Sequence, residues 1–447
     1  MKKRIEMGKY LKISLLALFI VVSVCGQSTN RIDIEIDAYL KPYLDMDAWS
    51  GIVAIYEDDK PVFQKAYGYA DREWKTPNTL DTKFRIASIS KLFTEVAILM
   101  LVEEGKLSLD DRLNIFIPDY PRGNEITVQQ LLNHSSGIPH LNNFSNYNEL
   151  IKNQYTLNEI IDLFRNIELD FDPGKRYNYS NSGYVLLAFI IEDVSGLSYE
   201  QFLEEYLFLP LHLENTGVDS QKKILPKRAR GYMFNPAGEL IHAEFVNMSI
   251  KIGGGSLYST LGDLRTFLNN LLRKKILKST LKKLPNFRGT AGNEIFSTNG
   301  RVQGFCHQIT YRSAQALTIV ILGNHYSNLA LPISDDIYRI YSGQDYKEPV
   351  NYIDLKVNLI PENLAIYEGT YDFGFGPVGK VVVIGDHLTY LAPGREVADT
   401  LIPLGDHKFF YLQNWVVLAF KDQKEDSFVV LDWIMGENAY PAKKIQD

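Results

Sequence analysis

The sequence predicts an α+β fold in which one antiparallel sheet is assembled from distant segments and is followed by a small all-β domain. Two hairpin patterns support the sheet, since apolar runs flank polar turns within residues 51–71 and 304–325. The chain between these hairpins has helical periodicity, without the regular strand–helix alternation of a doubly wound sheet. Residues 356–447 have strand patterning with frequent Gly, Pro and Asp turns, which favours a separate all-β unit.

The predicted helices begin or end at capping signals. Thr156 with Glu159 and Ser198 with Gln201 have the spacing of a capping box, and Gly196 follows directly after an apolar run. These signals predict helices over Lys91–Glu104, Thr156–Ile167, Gly183–Ser195, Ser198–Leu207 and Thr260–Lys274.

The first residues are typical of an export signal. Residues 1–26 combine a positively charged start with an apolar run, Ile13–Val24, that is too short to span a bilayer comfortably. We expect cleavage after Gly26 and a periplasmic or secreted protein. A lipid-modified Cys25 is the weaker alternative, because Val24 before it is larger than the residue usually found there.

A second boundary lies near residues 343–355, a polar segment that contains Pro349. We interpret this segment as a linker between a domain over residues 32–342 and a C-terminal domain over residues 356–447. The C-terminal strand pattern predicts a β-sandwich or barrel of about eight short strands.

Charge and cysteine content exclude several classes of function. Loss of residues 1–26 removes five positive charges and one negative charge, so the net charge changes from −7 to −11 (−7 − 4). Such a protein has no bulk attraction to nucleic acid or to an anionic membrane. After cleavage only Cys306 remains, so no internal disulfide can form. The eight histidines show no H-E-x-x-H spacing, and we predict neither a metal nor a cofactor.

A serine and a lysine three residues apart stand where an apolar helix begins, in the segment "FRIASISKLFTEVAILM". Residues i and i+3 lie on one helical face, so Lys91 is carried toward Ser88 in a desolvated site. There the pKa of the ammonium would fall, and Lys91 could accept the hydroxyl proton of Ser88. The alternative is that Ser88 is only the N-cap of the helix.

The segment "FDPGKRYNYSNSGYVLL" places Tyr179 and Asn181 in a loop directly before a second apolar helix. A tyrosine beside a lysine can act as a phenolate-like general base, because both partners would lower the pKa of the phenol. The Asn181 amide can both steady the lysine and bind a substrate carbonyl. The alternative is a polar helix entry in a chain that contains 27 tyrosines.

Four segments in order resemble a known family: "SISK", "LLNHSSGI", "PGKRYNYSNSGYVLL" and "GGGSLYSTLGDLRTFL". They are similar to the serine β-lactamase-related hydrolases, which include class C β-lactamases, D-Ala-D-Ala carboxypeptidases and esterases of the penicillin-recognising fold. The resemblance implies an antiparallel sheet with flanking helices and a helical subdomain, with the site between them. It also implies that Ser88 is acylated, that Lys91 is its proton partner, that Tyr179 is the general base and that Asn181 orients the substrate. The C-terminal pattern resembles the lipocalin-like domains that are joined to this family.

One motif departs from the family pattern. Where the family carries Lys-Thr-Gly or His-x-Gly on a strand beside the site, this chain has Thr298-Asn299-Gly300, which would be the substrate-binding triplet. Loss of one charge-assisted hydrogen bond costs roughly 1.5–3 kcal/mol. Arg301 would point to the opposite face of the strand from Thr298. The backbone N–H groups of Ser88 and Arg301 would form the oxyanion hole that the resemblance implies.

These observations predict a serine hydrolase that acts through an acyl-enzyme on an ester, an amide or a D-amino-acid peptide. Because of Thr298, substrates without a terminal carboxylate fit better than penicillins. The first alternative is a non-catalytic protein of the same fold that binds cell-wall peptides or a partner. The second is that the C-terminal domain binds the substrate and presents it to the hydrolase. The sequence does not indicate an oligomeric state.

Overall fold

The structure is a computed structural model that describes residues 31–277, 284–285, 287–290, 293–359, 364–373, 379–393, 397–424 and 427–445. The predicted export signal and Cys25 lie outside these residues. The helices are α1 (31–45), α2 (Ser90–Glu103), α3 (Val128–Leu132), α4 (Tyr147–Leu150), α5 (Leu157–Phe164), α6 (Asn181–Ser195), α7 (Tyr199–Leu203), α8 (Leu261–Leu272) and α9 (Ala330–Ser342). No helix among the described residues is both long and apolar enough to cross a membrane.

The first thirteen strands build one large sheet and three small ones. In chain order they are β1 (Gly51–Glu57), β2 (Lys60–Tyr67), β3 (Tyr69–Asp71), β4 (Thr76–Pro77), β5 (Phe84–Arg85), β6 (Gly217–Val218), β7 (Tyr232–Phe234), β8 (Leu240–His242), β9 (Leu257–Ser259), β10 (Phe287–Thr290), β11 (Asn293–Val302), β12 (Phe305–Arg312) and β13 (Leu317–Gly323). The large sheet is antiparallel in the order β10-β11-β12-β13-β1-β2. Both predicted hairpins are present, and the pairing of β13 with β1 joins them.

Helices α2 to α8 pack on one face of this sheet, whereas α9 packs with α1 on the other face. Helix α2 is buried on nearly every side, as a central helix must be. It contacts α6, which also belongs to the main hydrophobic core. The predicted capping boxes of α5 and α7 are both formed, so these helices start at the predicted residues. The α+β prediction, with one antiparallel sheet and flanking helices, is confirmed.

The C-terminal region is a nine-stranded antiparallel barrel-like sheet, against about eight strands expected. Its strands are β14 (Gly369–Asp372), β15 (Gly379–Ile384), β16 (His387–Leu391), β17 (Asp399–Thr400), β18 (Ile402–Gly405), β19 (Lys408–Tyr411), β20 (Val416–Lys424), β21 (Ser427–Met435) and β22 (Asn438–Ile445). The consecutive strands β17 and β18 pair with β16 and β19 at the two ends of the sheet order. The segment that forms β17 and β18 therefore joins the two edges of the sheet. Fewer backbone N–H and C=O groups are left unpaired than in an open sheet.

A second hydrophobic core joins the barrel to the rest of the protein. Residues 344–359, which overlap the predicted linker, contain no helix or strand. Phe410 and Trp415 of the barrel region pack in one buried cluster with Tyr39 of α1 and Ile337 of α9. Trp415 is buried in this cluster. This shared core fixes one side of the barrel against the outer face of the large sheet.

Candidate active site

Ser88 lies in a single 3-10 turn, Ala87–Ile89, that leads into α2. Its side chain makes no capping hydrogen bond to the helix, so the structure does not support the N-cap alternative. Instead, Ser88 Oγ lies 2.8 Å from the hydroxyl of Tyr179 and accepts a longer, 3.4 Å contact from Lys91 Nζ. The serine hydroxyl therefore faces two groups that can exchange protons with it.

Lys91 is buried on the first turn of α2, where the sequence predicted it. Its ammonium donates to Asn181 Oδ1 at 2.7 Å and to the backbone carbonyl of Gly254 at 2.6 Å. Burial lowers the pKa of Lys91 to about 7, although the nearby Glu95 carboxyl opposes this shift. Near neutral pH, a substantial fraction of Lys91 is thus an uncharged amine that can accept a proton.

Tyr179 approaches Ser88 from the loop before α6, but its titration differs from the prediction. Loss of contact with water raises the pKa of Tyr179 to about 12, although the hydrogen bond to Ser88 acts in the opposite direction. The predicted lowering of this pKa was therefore wrong, because desolvation of the phenolate outweighs the neighbouring donors. Lys91 Nζ lies 5.0 Å from the centroid of the Tyr179 ring. The phenol is protonated at neutral pH, and the amine is the stronger candidate for the base.

Two histidines position the Tyr179 loop. Nδ1 of His134 accepts a hydrogen bond from the backbone N–H of Ser180 at 3.2 Å, and Nδ1 of His140 accepts one from Asn181 at 3.0 Å. The His134 ring also packs 4.5 Å from the Tyr179 ring. Burial and the charge of Lys91 lower the pKa of both histidines to about 3, so both are neutral. His134 and His140 therefore hold the loop by accepting hydrogen bonds from its backbone. Their segment, "LLNHSSGIPH", is distant from α6 in sequence but lies beside its first residue in the fold.

Glu95 is a component of the site that the sequence analysis missed. It lies one helical turn after Lys91 on α2 and is fully buried, with Oε1 accepting 2.7 Å from the Tyr184 hydroxyl. Burial raises the pKa of Glu95 to about 7. The signal was present in the sequence, since a carboxyl in the middle of an otherwise apolar buried helix needs a partner.

Strand β11 forms the opposite wall of the site. Thr298 is buried and faces the cavity, whereas Asn299 is exposed at its rim. A Cβ on Gly300 would lie 2.3 Å from the carbonyl oxygen of Ile86 and 3.2 Å from the backbone nitrogen of Ser88. The strand thus runs directly against the Ser88 turn, and only glycine fits at this contact.

The Arg301 side chain leaves the site, as strand alternation predicts. Its Nη1 donates to Asn328 Oδ1 at 2.5 Å and to Asn414 Oδ1 at 2.7 Å, and its guanidinium lies over the ring of Tyr326. Arg301 therefore does not restore the positive charge that Thr298 lacks.

These groups border a cavity of about 750 Å³. Among its described lining residues, Lys91 is the one lysine or arginine, and Glu95 is the one acidic residue. The other described residues on its wall are Ser88, His134, Tyr177, Tyr179, Tyr184, Pro285, Ile295, Ser297, Thr298, Asn299 and Tyr440. The described residues contain no cluster of side chains suited to a metal ion. The cavity brings together a serine hydroxyl, an amine, a phenol and an amide.

Comparison with known proteins matches residues 36–329 to the family described as Beta-lactamase. The chain belongs to the beta-lactamase family. This match confirms the predicted resemblance, and it spans the candidate residues from Ser88 to Arg301.

Several members and structural neighbours of this family are similar over most of the chain. A penicillin-binding protein of Bacillus subtilis is 28% identical over 440 residues, which cover 88% of this chain and 95% of the relative. The octameric penicillin-binding protein homologue from Pyrococcus abyssi has a TM-score of 0.61 at 26% identity, with 92% of this chain and 99% of that chain covered. D-amino acid amidase from Ochrobactrum anthropi SV3, complexed with L-phenylalanine amide, has a TM-score of 0.59 at 25% identity, with coverages of 69% and 99%.

The beta-lactamase match ends before the barrel begins, yet the barrel reaches the site. Tyr440 on β22 lines the same cavity as Ser88 and Lys91. The sequence left open that the C-terminal domain binds the substrate, but it does not indicate Tyr440, because this contact depends on how the barrel docks. The C-terminal region therefore forms part of the wall around the candidate nucleophile.

Proposed function

We propose that this protein is a serine hydrolase that forms an acyl-enzyme on Ser88 and acts on an ester, an amide or a D-amino-acid peptide. The observation that carries the proposal is the convergence of the Ser88 hydroxyl with the Tyr179 phenol at 2.8 Å and the Lys91 amine at 3.4 Å. A serine is a weak nucleophile by itself and needs an adjacent base, which this arrangement supplies.

In this proposal, Lys91 is the base and Tyr179 carries the proton to the leaving group. Neutral Lys91 accepts the Ser88 proton while Oγ bonds to the substrate carbonyl carbon, and the backbone N–H groups of Ser88 and Arg301 bind the oxyanion. When the bond to the leaving group breaks, the Tyr179 phenol protonates that group, and the Lys91 ammonium returns a proton to the phenolate. Water then attacks the acyl group, its proton passes to Ser88, and the acid is released.

The wall of the cavity favours substrates without a terminal carboxylate. Thr298 is neutral where related proteins have a cation, and the Arg301 guanidinium is bound to Asn328 and Asn414. The similar protein from Ochrobactrum anthropi SV3 is described as a D-amino acid amidase. We therefore propose neutral or cationic D-amino-acid amides and esters as the preferred class of substrate.

A covalent probe tests the proposal. We expect a fluorophosphonate to add one adduct to Ser88, detected by intact mass and peptide mapping, and Ser88→Ala to abolish it. The rate of labelling should rise with pH and level off above about pH 7, where Lys91 is neutral. If Tyr179 were the base, with its pKa of about 12, the rate would continue to rise to pH 10 and beyond.

A second candidate function is binding without turnover, and Thr298 is the observation that favours it. A protein that only binds cell-wall peptides has no use for a buried lysine and a tyrosine on the same serine hydroxyl. Folded protein that binds D-amino-acid peptides, but is labelled by neither fluorophosphonate nor penicillin, would establish this alternative and reject the hydrolase.

A further inference from the structure

A second lysine, Lys251, lies beside the segment that binds Lys91, and the mechanism proposed above does not use it. It ends a short 3-10 turn, Met248–Lys251, whose start is capped by the Asn247 side chain. Lys251 is partly buried, and its ammonium donates a hydrogen bond to the hydroxyl of Tyr147 on α4. The same ammonium lies 4.9 Å from the centroid of the Tyr147 ring. Among the described residues, its hydrogen-bond partner is therefore a phenol and not a carboxylate.

Helix α2 holds the segment that follows Lys251 at two consecutive carbonyl groups. Thr94 Oγ1 donates to the carbonyl of Gly253 at 2.6 Å, and Lys91 Nζ donates to that of Gly254 at 2.6 Å. The N–H of Gly254 donates in turn to the carbonyl of Lys251 at 3.1 Å. A short chain of hydrogen bonds therefore connects the two lysines and fixes the backbone of one relative to the other.

The two glycines let this segment approach α2 and α6 closely. Gly253 has a φ of +71°, and a Cβ on it would lie 2.2 Å from the backbone oxygen of Tyr184, so only glycine fits there. A Cβ on Gly254 would lie 3.2 Å from Lys91 Nζ and 3.3 Å from Asn181 Oδ1. The backbone that carries Lys251 is therefore in direct contact with the ammonium of Lys91.

The two lysines also act on each other through their charges. Loss of contact with water and, in addition, the charge of Lys91 lower the pKa of Lys251 to about 7, close to the pKa of Lys91 itself. Repulsion between like charges is mutual, so a proton on Lys251 also disfavours a proton on Lys91. Two groups with similar pKa values that interact in this way titrate as a pair. Near pH 7, the pair therefore holds fewer protons than two isolated lysines would.

The other titratable groups that face these lysines are one carboxyl group, two histidines and three phenols. The Glu95 carboxyl on α2 raises the pKa of Lys91 and thus opposes the effect of Lys251. His134 and His140 are neutral, because burial and the charges of the lysines lower the pKa of each to about 3. The phenols belong to Tyr147 on α4, Tyr179 before α6 and Tyr184 on α6.

We propose that Lys251 is a positioning residue for the reaction at Ser88: its positive charge, held beside Lys91 by the glycine segment, disfavours a proton on Lys91. Lys251 thereby keeps Lys91 in the form that accepts the Ser88 proton. It acts through Lys91 and does not touch the substrate. This inference rests on the proposed role of Lys91 as the base, but the charge coupling between the two lysines does not depend on hydrolysis.

The pH dependence of fluorophosphonate labelling tests this role. In Lys251→Met, the midpoint of the labelling rate should rise by about one pH unit, because no like charge then opposes protonation of Lys91. The neutral fraction of Lys91, and with it the rate, should fall about fivefold at pH 7 and by less at each higher pH. Lys251→Arg keeps a permanent charge, so its midpoint should lie at or below the wild-type value. Lys152→Met removes an exposed lysine and is the matched control, which should label as wild type does.

Direct titration separates this inference from the proposed function. Full-length Ser88→Ala protein, isotope-labelled at the lysine Cε atoms, can be titrated by NMR without any reaction. We expect two lysine signals that titrate near pH 7; adding Lys251→Met should remove one of them and move the other to higher pH. Coupled titration in a protein whose Ser88 is never labelled would reject the proposed function and retain the coupling.

Three results would overturn the inference. The first is a Lys251 signal that titrates near its ordinary value of about 10 in the folded protein, which needs no substitution at Lys251. The second is a labelling midpoint in Lys251→Met that rises by less than about 0.3 of a pH unit or falls. The third is a rate that falls by the same factor at every pH in both Lys251→Met and Lys251→Arg, which would assign Lys251 a structural role only.

Discussion

Substitution of Gly300 by alanine tests the geometry of the candidate site most directly. The added Cβ would lie 2.3 Å from the carbonyl oxygen of Ile86, 3.2 Å from the backbone nitrogen of Ser88 and 3.3 Å from the Cβ of Ala87. Real Cβ contacts are essentially never shorter than 3.0 Å, so strand β11 and the Ser88 turn must separate by about 0.7 Å, the difference between the two distances. The two nearest of these atoms are backbone atoms, and no side-chain rotation relieves the contact.

This displacement acts on the two N–H groups that we propose as the oxyanion hole. Misplacement by about 1 Å can lower a rate about a hundredfold, and loss of one oxyanion donor costs about a hundred- to a thousandfold. We therefore expect Gly300→Ala to slow labelling of Ser88 by about a hundredfold or more. The hydrogen bond between Ser88 and Tyr179 involves side chains on the opposite wall, so the loss would come from the hole and not from the nucleophile.

The assay is the second-order rate of fluorophosphonate labelling, measured together with the melting temperature. Gly262→Ala on α8 is the matched control, because its Cβ would meet nothing within 4 Å and alanine favours a helix by up to about 1 kcal/mol. It should label at the wild-type rate with equal or higher stability. A Gly300→Ala variant that folds and labels within about threefold of wild type would refute the proposed role of this strand.

Three further predictions follow from the titrating groups. In Glu95→Gln, the midpoint pH at which the labelling rate falls on the acidic side should move below 7, because the Glu95 carboxylate raises the pKa of Lys91. A shift of this midpoint to higher pH would contradict the prediction. The free energy of unfolding, measured with urea, should decrease as the pH is lowered from about 6.5. The decrease should be about 1.4 kcal/mol per pH unit for each histidine whose pKa is lowered by burial to about 3–4. The histidines concerned are His134, His140, His307 and His325. They gain protons in the unfolded chain first, so constant stability between pH 6.5 and 5 would argue against their burial. Burial raises the pKa of the Cys306 thiol, so it should resist iodoacetamide at pH 8 until the protein is unfolded in urea; rapid reaction of the native protein would contradict its burial.

Local signals predicted much of the fold. The hairpin β1–β2, the capping box at Thr156 and the helix stop at Gly196 each depend on residues a few positions apart. The closure of the barrel depends on a segment that pairs with two strands far from each other in the sheet order. No local pattern specifies such a pairing. The strand pattern of residues 356–447 therefore indicated an all-β unit but not the order of its strands.

Local signals likewise predicted one part of the candidate site but not the rest. Ser88 with Lys91, and Tyr179 with Asn181, were found because each pair is a short motif at the start of a helix. Their mutual distances, and the contribution of Tyr440, depend on packing between distant segments. The pKa of Tyr179 was predicted in the wrong direction because the sequence shows the neighbours of a group but not its loss of water.

Strand β11 explains why the missing cation at position 298 has no substitute on its own strand. Successive side chains of a strand point to opposite faces, so Thr298 lies on the buried face of β11, while Asn299 is exposed at the rim of the cavity and Arg301 points away from it. The outward face is already used, since Arg301 binds Asn414 of the barrel. A shift of β11 by one residue would turn the Arg301 side chain into the cleft. It would also break the contact of Arg301 with Asn414 and turn Thr298 out of the cleft. The strand therefore couples the docking of the barrel to a neutral wall beside Ser88. We therefore expect a substrate of this cleft to bind without a carboxylate at that wall, whatever its leaving group.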